Sequence, residues 1–100
     1  MRAGTGSVTI VHYLKSDEIT ARCRLCAKLI IPPGSSIGAR EHTGEDEIFI
    51  VHAGTGTVTD NGVESTVEAG DAILTGNGAT HAIKNTGTTD LVITAVIMQY

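Results

Sequence analysis

The sequence predicts an all-β domain, a small closed barrel or jelly roll, and two observations carry that expectation. Val, Ile and Thr supply 33 of the 100 residues; branched side chains pack on a pleated surface but lose χ1 freedom in a helix. Short apolar runs alternate with Gly, Asn, Asp and Pro at intervals of about ten residues, the rhythm of a sandwich or barrel. Aromatic residues are nearly absent, with no Trp, one Phe (Phe49) and two Tyr (Tyr13 and Tyr100). A chain of this length makes one compact domain, so 1–100 is expected to be a single unit.

Strands are expected over 8–14 and 22–31. Pro32-Pro33-Gly34 stops the second, because Pro lacks an amide donor and Gly accepts the turn. Strands over 38–42 and 47–53 flank the bend Thr43-Gly44-Glu45-Asp46. Asp60-Asn61-Gly62 joins strands over 56–60 and 64–68, since these residues tolerate the positive φ of a tight hairpin. Gly76-Asn77-Gly78 separates strands over 72–75 and 81–85, and Asn85-Thr86-Gly87 turns the chain into the last strand, 91–98. That last strand is apolar on both faces and so needs cover on both, from the barrel interior and from a second subunit. Only 15–20 reads as a helical turn. Small and branched interior residues suit a narrow barrel, which either fills with side chains or encloses one small pocket.

Charge and composition exclude several function classes. The formal net charge of −4 and the lack of aromatic platforms argue against nucleic acid as a partner. No stretch approaches the roughly 18 apolar residues of a membrane span, and the first residues form no apolar leader. A cytoplasmic protein with no membrane partner is therefore expected. Cys23 and Cys26 form a Cys-x-x-Cys string, but residues three apart on a regular strand point to opposite faces. Two unconnected thiols are expected.

Two imidazoles and one carboxylate fall where strands meet. His42 and Glu47 flank the bend after the third strand, and His81 opens a strand much later. Such a set suits a borderline divalent cation. From Gly34 the chain reads Gly34-x5-Arg40-x-His42-x4-Glu47-x6-Gly54, and from Gly70 it reads Gly70-x5-Gly76-x-Gly78-x2-His81-x3-Asn85. The first string resembles the first cupin motif, Gly-x5-His-x-His-x3,4-Glu-x6-Gly. The second resembles the second motif, Gly-x5-Pro-x-Gly-x2-His-x3-Asn. With motif 1 at 34–54 and motif 2 at 70–85, the chain is similar to single-domain cupins, in particular the small oxalate decarboxylase-like ones.

This resemblance implies a cupin double-stranded β-helix, a jelly-roll β-barrel paired as a homodimer. It implies a divalent transition metal (Mn, Fe, Ni or Zn) on His42, Glu47 and His81. It implies a decarboxylase- or dioxygenase-like reaction on a small, anionic, carboxylate-type substrate. Arg40 and Glu47 are the expected catalytic side chains. By strand parity Phe49, Val51 and Ile83 line the substrate pocket with Arg40.

Two departures from the family pattern matter. Gly76 stands for the second motif's proline, which is expected to loosen a turn. Arg40 stands for the first metal-binding histidine, and a guanidinium has no lone pair to donate. Arg40 then either binds a substrate carboxylate beside the metal or replaces the metal by pairing with Glu47. The second case is a metal-free binding module for a small anion or sugar acid. His52, five residues after Glu47, is expected outside the pocket, and His12 is expected as a structural histidine on an outer strand. Asn85 is expected to form a turn, and Glu41, Glu45 and Asp46 a solvated rim.

Overall fold

The computed structural model describes residues 6, 8–14, 22–41, 44–76 and 80–99, with the side chains of 24 and 39–41 excepted. Strands account for every regular element among these residues: β1 (Thr9–His12), β2 (Cys23–Ile31), β3 (Ser36–Glu41), β4 (Glu45–Ala53), β5 (Thr55–Asp60), β6 (Val63–Glu68), β7 (Ala72–Gly76), β8 (Thr80–Asn85) and β9 (Leu91–Gln99). All nine expected strands form, each with slightly different ends. The helical turn expected over 15–20 lies outside the described residues.

Two antiparallel sheets face each other, β1-β2-β9-β4-β7 and β3-β8-β5-β6. Their inner faces interleave Leu29, Ile31, Phe49, Val51, Leu91, Ile93 and Ala95 from the larger sheet with Ile37, Val58, Val67 and Ile83 from the smaller. Strand alternation sets this pattern: along β9, Leu91, Ile93, Ala95 and Ile97 are buried while Val92, Thr94 and Val96 are half-buried on the outer face. No helix among the described residues is long and apolar enough to cross a membrane.

The turns follow their local chemistry. Asn61 (φ 51°) and Gly62 (φ 85°) form the two-residue β5–β6 hairpin, both in the left-handed region that type I′ turns require. After Pro32, Ser35 N–H donates to Pro32 C=O at 3.0 Å and Gly34 adopts φ 80°. Asn85 does more than make a turn. Its Nδ2 donates to Ile31 C=O and to Thr89 C=O, each at 2.7 Å, and its Oδ1 accepts from Gly87 N–H at 2.9 Å. One buried amide thus ties the end of β2 to the β8–β9 turn.

Four expectations need correction. Cys23 and Cys26 share a face, because a bulge between Cys23 and Leu25 inserts one residue and restores parity: Cys23 faces Met98 and Cys26 faces Val96. Both thiols are free, as expected. Glu45 is 7% exposed and not part of a solvated rim, since β4 begins at Glu45 with the parity of Glu47. His12 is exposed on the edge strand β1, with no structural burial.

Gly76 is not a loosened turn. It ends β7 in register with Asp46, and a Cβ there would overlap the Asp46 carboxylate and come within 2.9 Å of Asp46 Cα. Close strand approach, and not flexibility, excludes a side chain at this position.

Candidate functional site

Glu47 and His81 come from different sheets. Glu47 is the third residue of β4, and inward parity leaves it 1% exposed. His81 is the second residue of β8, also inward and 2% exposed. His81 Nε2 and Glu47 Oε1 are 2.8 Å apart. An ionised carboxylate only accepts, so the imidazole donates from Nε2. Burial of both groups makes this contact matter, because a polar group taken out of water costs free energy unless it is hydrogen-bonded.

The Phe49 ring packs against the imidazole, with centroids 4.7 Å apart at an interplanar angle of 32°. It closes the inner side of the pair and fixes the ring plane of His81. Val51 and Ile83 lie deeper, each 1% exposed within the apolar core. The pair therefore sits where polar chemistry meets the aliphatic interior.

His42 lies outside the described residues, and the Arg40 side chain is likewise outside them. The Arg40 backbone is described: it stands opposite His81 in the β3–β8 ladder, after a bulge between Ile37 and Arg40. His52 is exposed, as expected, and its Nε2 contacts Thr94 Oγ1 at 2.5 Å on the outer face.

Thr75 was missed in the sequence. In Ala72-Ile73-Leu74-Thr75, polarity suggests that Leu74 turns inward and Thr75 outward. The structure reverses this: Leu74 is 63% exposed and Thr75 is 3% exposed, directly opposite Glu47 in the β4–β7 ladder. The inward apolar neighbour Ile73, two residues earlier, carried the correct parity.

The oxygen of Glu47 and the imidazole nitrogen of His81 are donors suited to a borderline divalent ion. Among the described residues no group of three His, Cys, Asp or Glu side chains could hold one. The donor chemistry fits a metal, with the third expected ligand, His42, outside the described part. His81 and Glu47 would help to hold such an ion, and binding it would release the proton now shared between them. A separate groove of about 410 Å³ lies outside the smaller sheet, lined by Ser36, Thr57, Thr59, Glu64 and Lys84 among others. It includes neither Glu47 nor His81.

Two facing antiparallel sheets with a buried His–Glu pair between them define a barrel with an internal polar site near one end. A family model described as the cupin domain matches residues 27–97, and the chain belongs to this family. The chain is 43% identical over 98 residues to an oxalate-binding protein of Thermotoga maritima, covering 98% of this chain and 81% of that protein. The crystal structure of a predicted oxalate decarboxylase from Thermotoga maritima superimposes with a TM-score of 0.96 at 42% identity, covering 100% of this chain and 87% of that one. A cupin domain from Schizosaccharomyces pombe superimposes with a TM-score of 0.84 at 13% identity, covering 98% of this chain and 69% of that one, a likeness of fold alone.

Proposed function

We propose that this cupin binds a small carboxylate of the oxalate class inside the barrel, at a centre formed by His42, Glu47 and His81. The buried Glu47–His81 contact carries this proposal, since it unites residues of both motifs at 2.8 Å. The likeness to an oxalate-binding protein supports the ligand class. His42, Glu47 and His81 would hold a divalent transition metal. A metal there supplies Lewis acidity that polarises a carboxylate or enol, the chemistry of a decarboxylase- or dioxygenase-like reaction. Arg40 pairs with a carboxylate of the substrate and neutralises its charge in two parallel hydrogen bonds. Phe49 holds the imidazole in place and keeps water from its inner side.

A metal-free module for the same anion is the second reading, favoured by one observation: Glu47 Oε1 and His81 Nε2 contact each other directly at 2.8 Å. Isothermal titration with oxalate, on protein stripped of metal and on protein loaded with Mn²⁺, tests both. Binding only in the loaded protein supports the metal centre. Equal binding in both supports the metal-free module, and no binding in either refutes the oxalate proposal.

Assembly belongs to the same proposal. The outer face of the five-stranded sheet exposes Val11, Tyr13, Ile50, Leu74 and Met98. A second copy covering this face would form the homodimer that β9, apolar on both sides, calls for.

A further inference from the structure

The Thr75 hydroxyl is a buried polar group without a hydrogen-bond partner. Its residue is 3% exposed, on the inner face of β7 and opposite Glu47. Directly opposed residues on antiparallel strands place their Cβ atoms about 5 Å apart, so the hydroxyl and the carboxylate are neighbours on the inner face. Glu47 nevertheless turns Oε1 to His81, and the hydroxyl is left over. By contrast, the buried side-chain amide of Asn85 makes three hydrogen bonds.

A threonine here is costly to the free protein. Val has the same shape, suits a strand equally well and carries no hydroxyl, whereas an unmet buried hydroxyl keeps the full cost of its lost hydration. The local pattern sharpens the point. β7 turns Leu74 out to solvent and Thr75 in, against the polarity of both side chains. Register with β4 requires that parity, and the inward position is then occupied by a residue that offers a donor where an aliphatic one would pack.

We propose that Thr75 is a ligand-binding residue whose hydroxyl donates a hydrogen bond to a carboxylate oxygen held beside Glu47 and His81. This rests on the proposed carboxylate site and adds a specific donor to it. A neutral donor opposite Glu47 offsets the repulsion between two carboxylates in one poorly solvated space. It also selects for an oxygen acceptor over an apolar group at that point, because an apolar ligand leaves the hydroxyl unmet.

The test compares wild type, Thr75→Val and Thr75→Ser by titration with oxalate, in the presence of Mn²⁺ and without it, and by urea unfolding without ligand. Thr75→Val is expected to weaken oxalate binding about tenfold or more, because a hydrogen bond to a charged group is lost. Thr75→Ser keeps the donor and is expected to bind within about threefold of wild type. Without ligand, Thr75→Val is expected to unfold at the same or a higher urea concentration. If wild type binds and Thr75→Val binds equally well, the role of Thr75 is overturned while the carboxylate site stands. If wild type binds no oxalate in either condition, both fall. If Thr75→Val is less stable without ligand, or fails to fold, the hydroxyl is satisfied in the free protein and its ligand role is overturned.

Discussion

Glu47 and His81 are 34 residues apart in the chain and 2.8 Å apart in the barrel. One comes from the five-stranded sheet and the other from the four-stranded sheet, so their contact bridges the two halves of the fold. Structure and candidate chemistry are therefore coupled at this pair. His81→Ala is expected to destabilise the protein by about 3 kcal/mol, since it removes the imidazole that donates to the buried Glu47 carboxylate and leaves a cavity in its place. Glu47→Gln keeps an acceptor for Nε2 and should cost only about 1 kcal/mol. Urea unfolding of both variants checks the ordering; equal losses would contradict it.

Arg40 is the chain's sharpest departure from the cupin motif. Arg40→His would supply the imidazole of the family motif; if His42, Glu47 and His81 hold a metal, protein purified without chelator or affinity metal should carry near one equivalent already in wild type and gain little from the change. If wild type carries a metal, His81→Ala should lose it. A wild type that carries none until Arg40→His is introduced would favour the metal-free module.

Asn85 links β2, β8 and the turn before β9. Asn85→Ala removes two donated bonds and one accepted bond, leaving the Ile31 carbonyl without its amide partner. A loss of about 3 kcal/mol is expected, read as a lower urea midpoint with an unchanged slope.

Gly76→Ala is expected to destabilise by about 1–3 kcal/mol through overpacking against Asp46. The family's proline at this position should cost more, since it adds ring atoms at the same crowded point. Thermal unfolding of Gly76→Ala and Gly76→Pro checks the order. A stabilised Gly76→Pro would show that β7 moves freely away from β4.

Leu74 is the most exposed apolar side chain on the outer face of the larger sheet, opposite Ile48. If a second copy covers this face, Leu74→Glu should convert dimer to monomer in sedimentation or light-scattering measurements. Its oxalate binding should persist, since Leu74 points away from Glu47. A monomeric wild type would refute the assembly proposal.

Much of this molecule was legible in its sequence. Branched residues in short runs, broken by Pro-Gly and Asn-Gly turns, determined nine strands, because turn chemistry and strand propensity act over only a few residues. Two spaced motifs determined the family and singled out Glu47 and His81. Tertiary structure alone decided the rest. The bulge that puts Cys23 and Cys26 on one face arises from the fit of β2 to β9, and no local pattern announces it. Gly76 is small because Asp46 lies against it, and not because a turn needs freedom. Thr75 faces inward, and Leu74 outward, because register with β4 sets their parity against their own polarity. Local preferences choose the strands, but side-chain facing is set by cross-strand pairing over long sequence distances, and only the folded barrel contains that information.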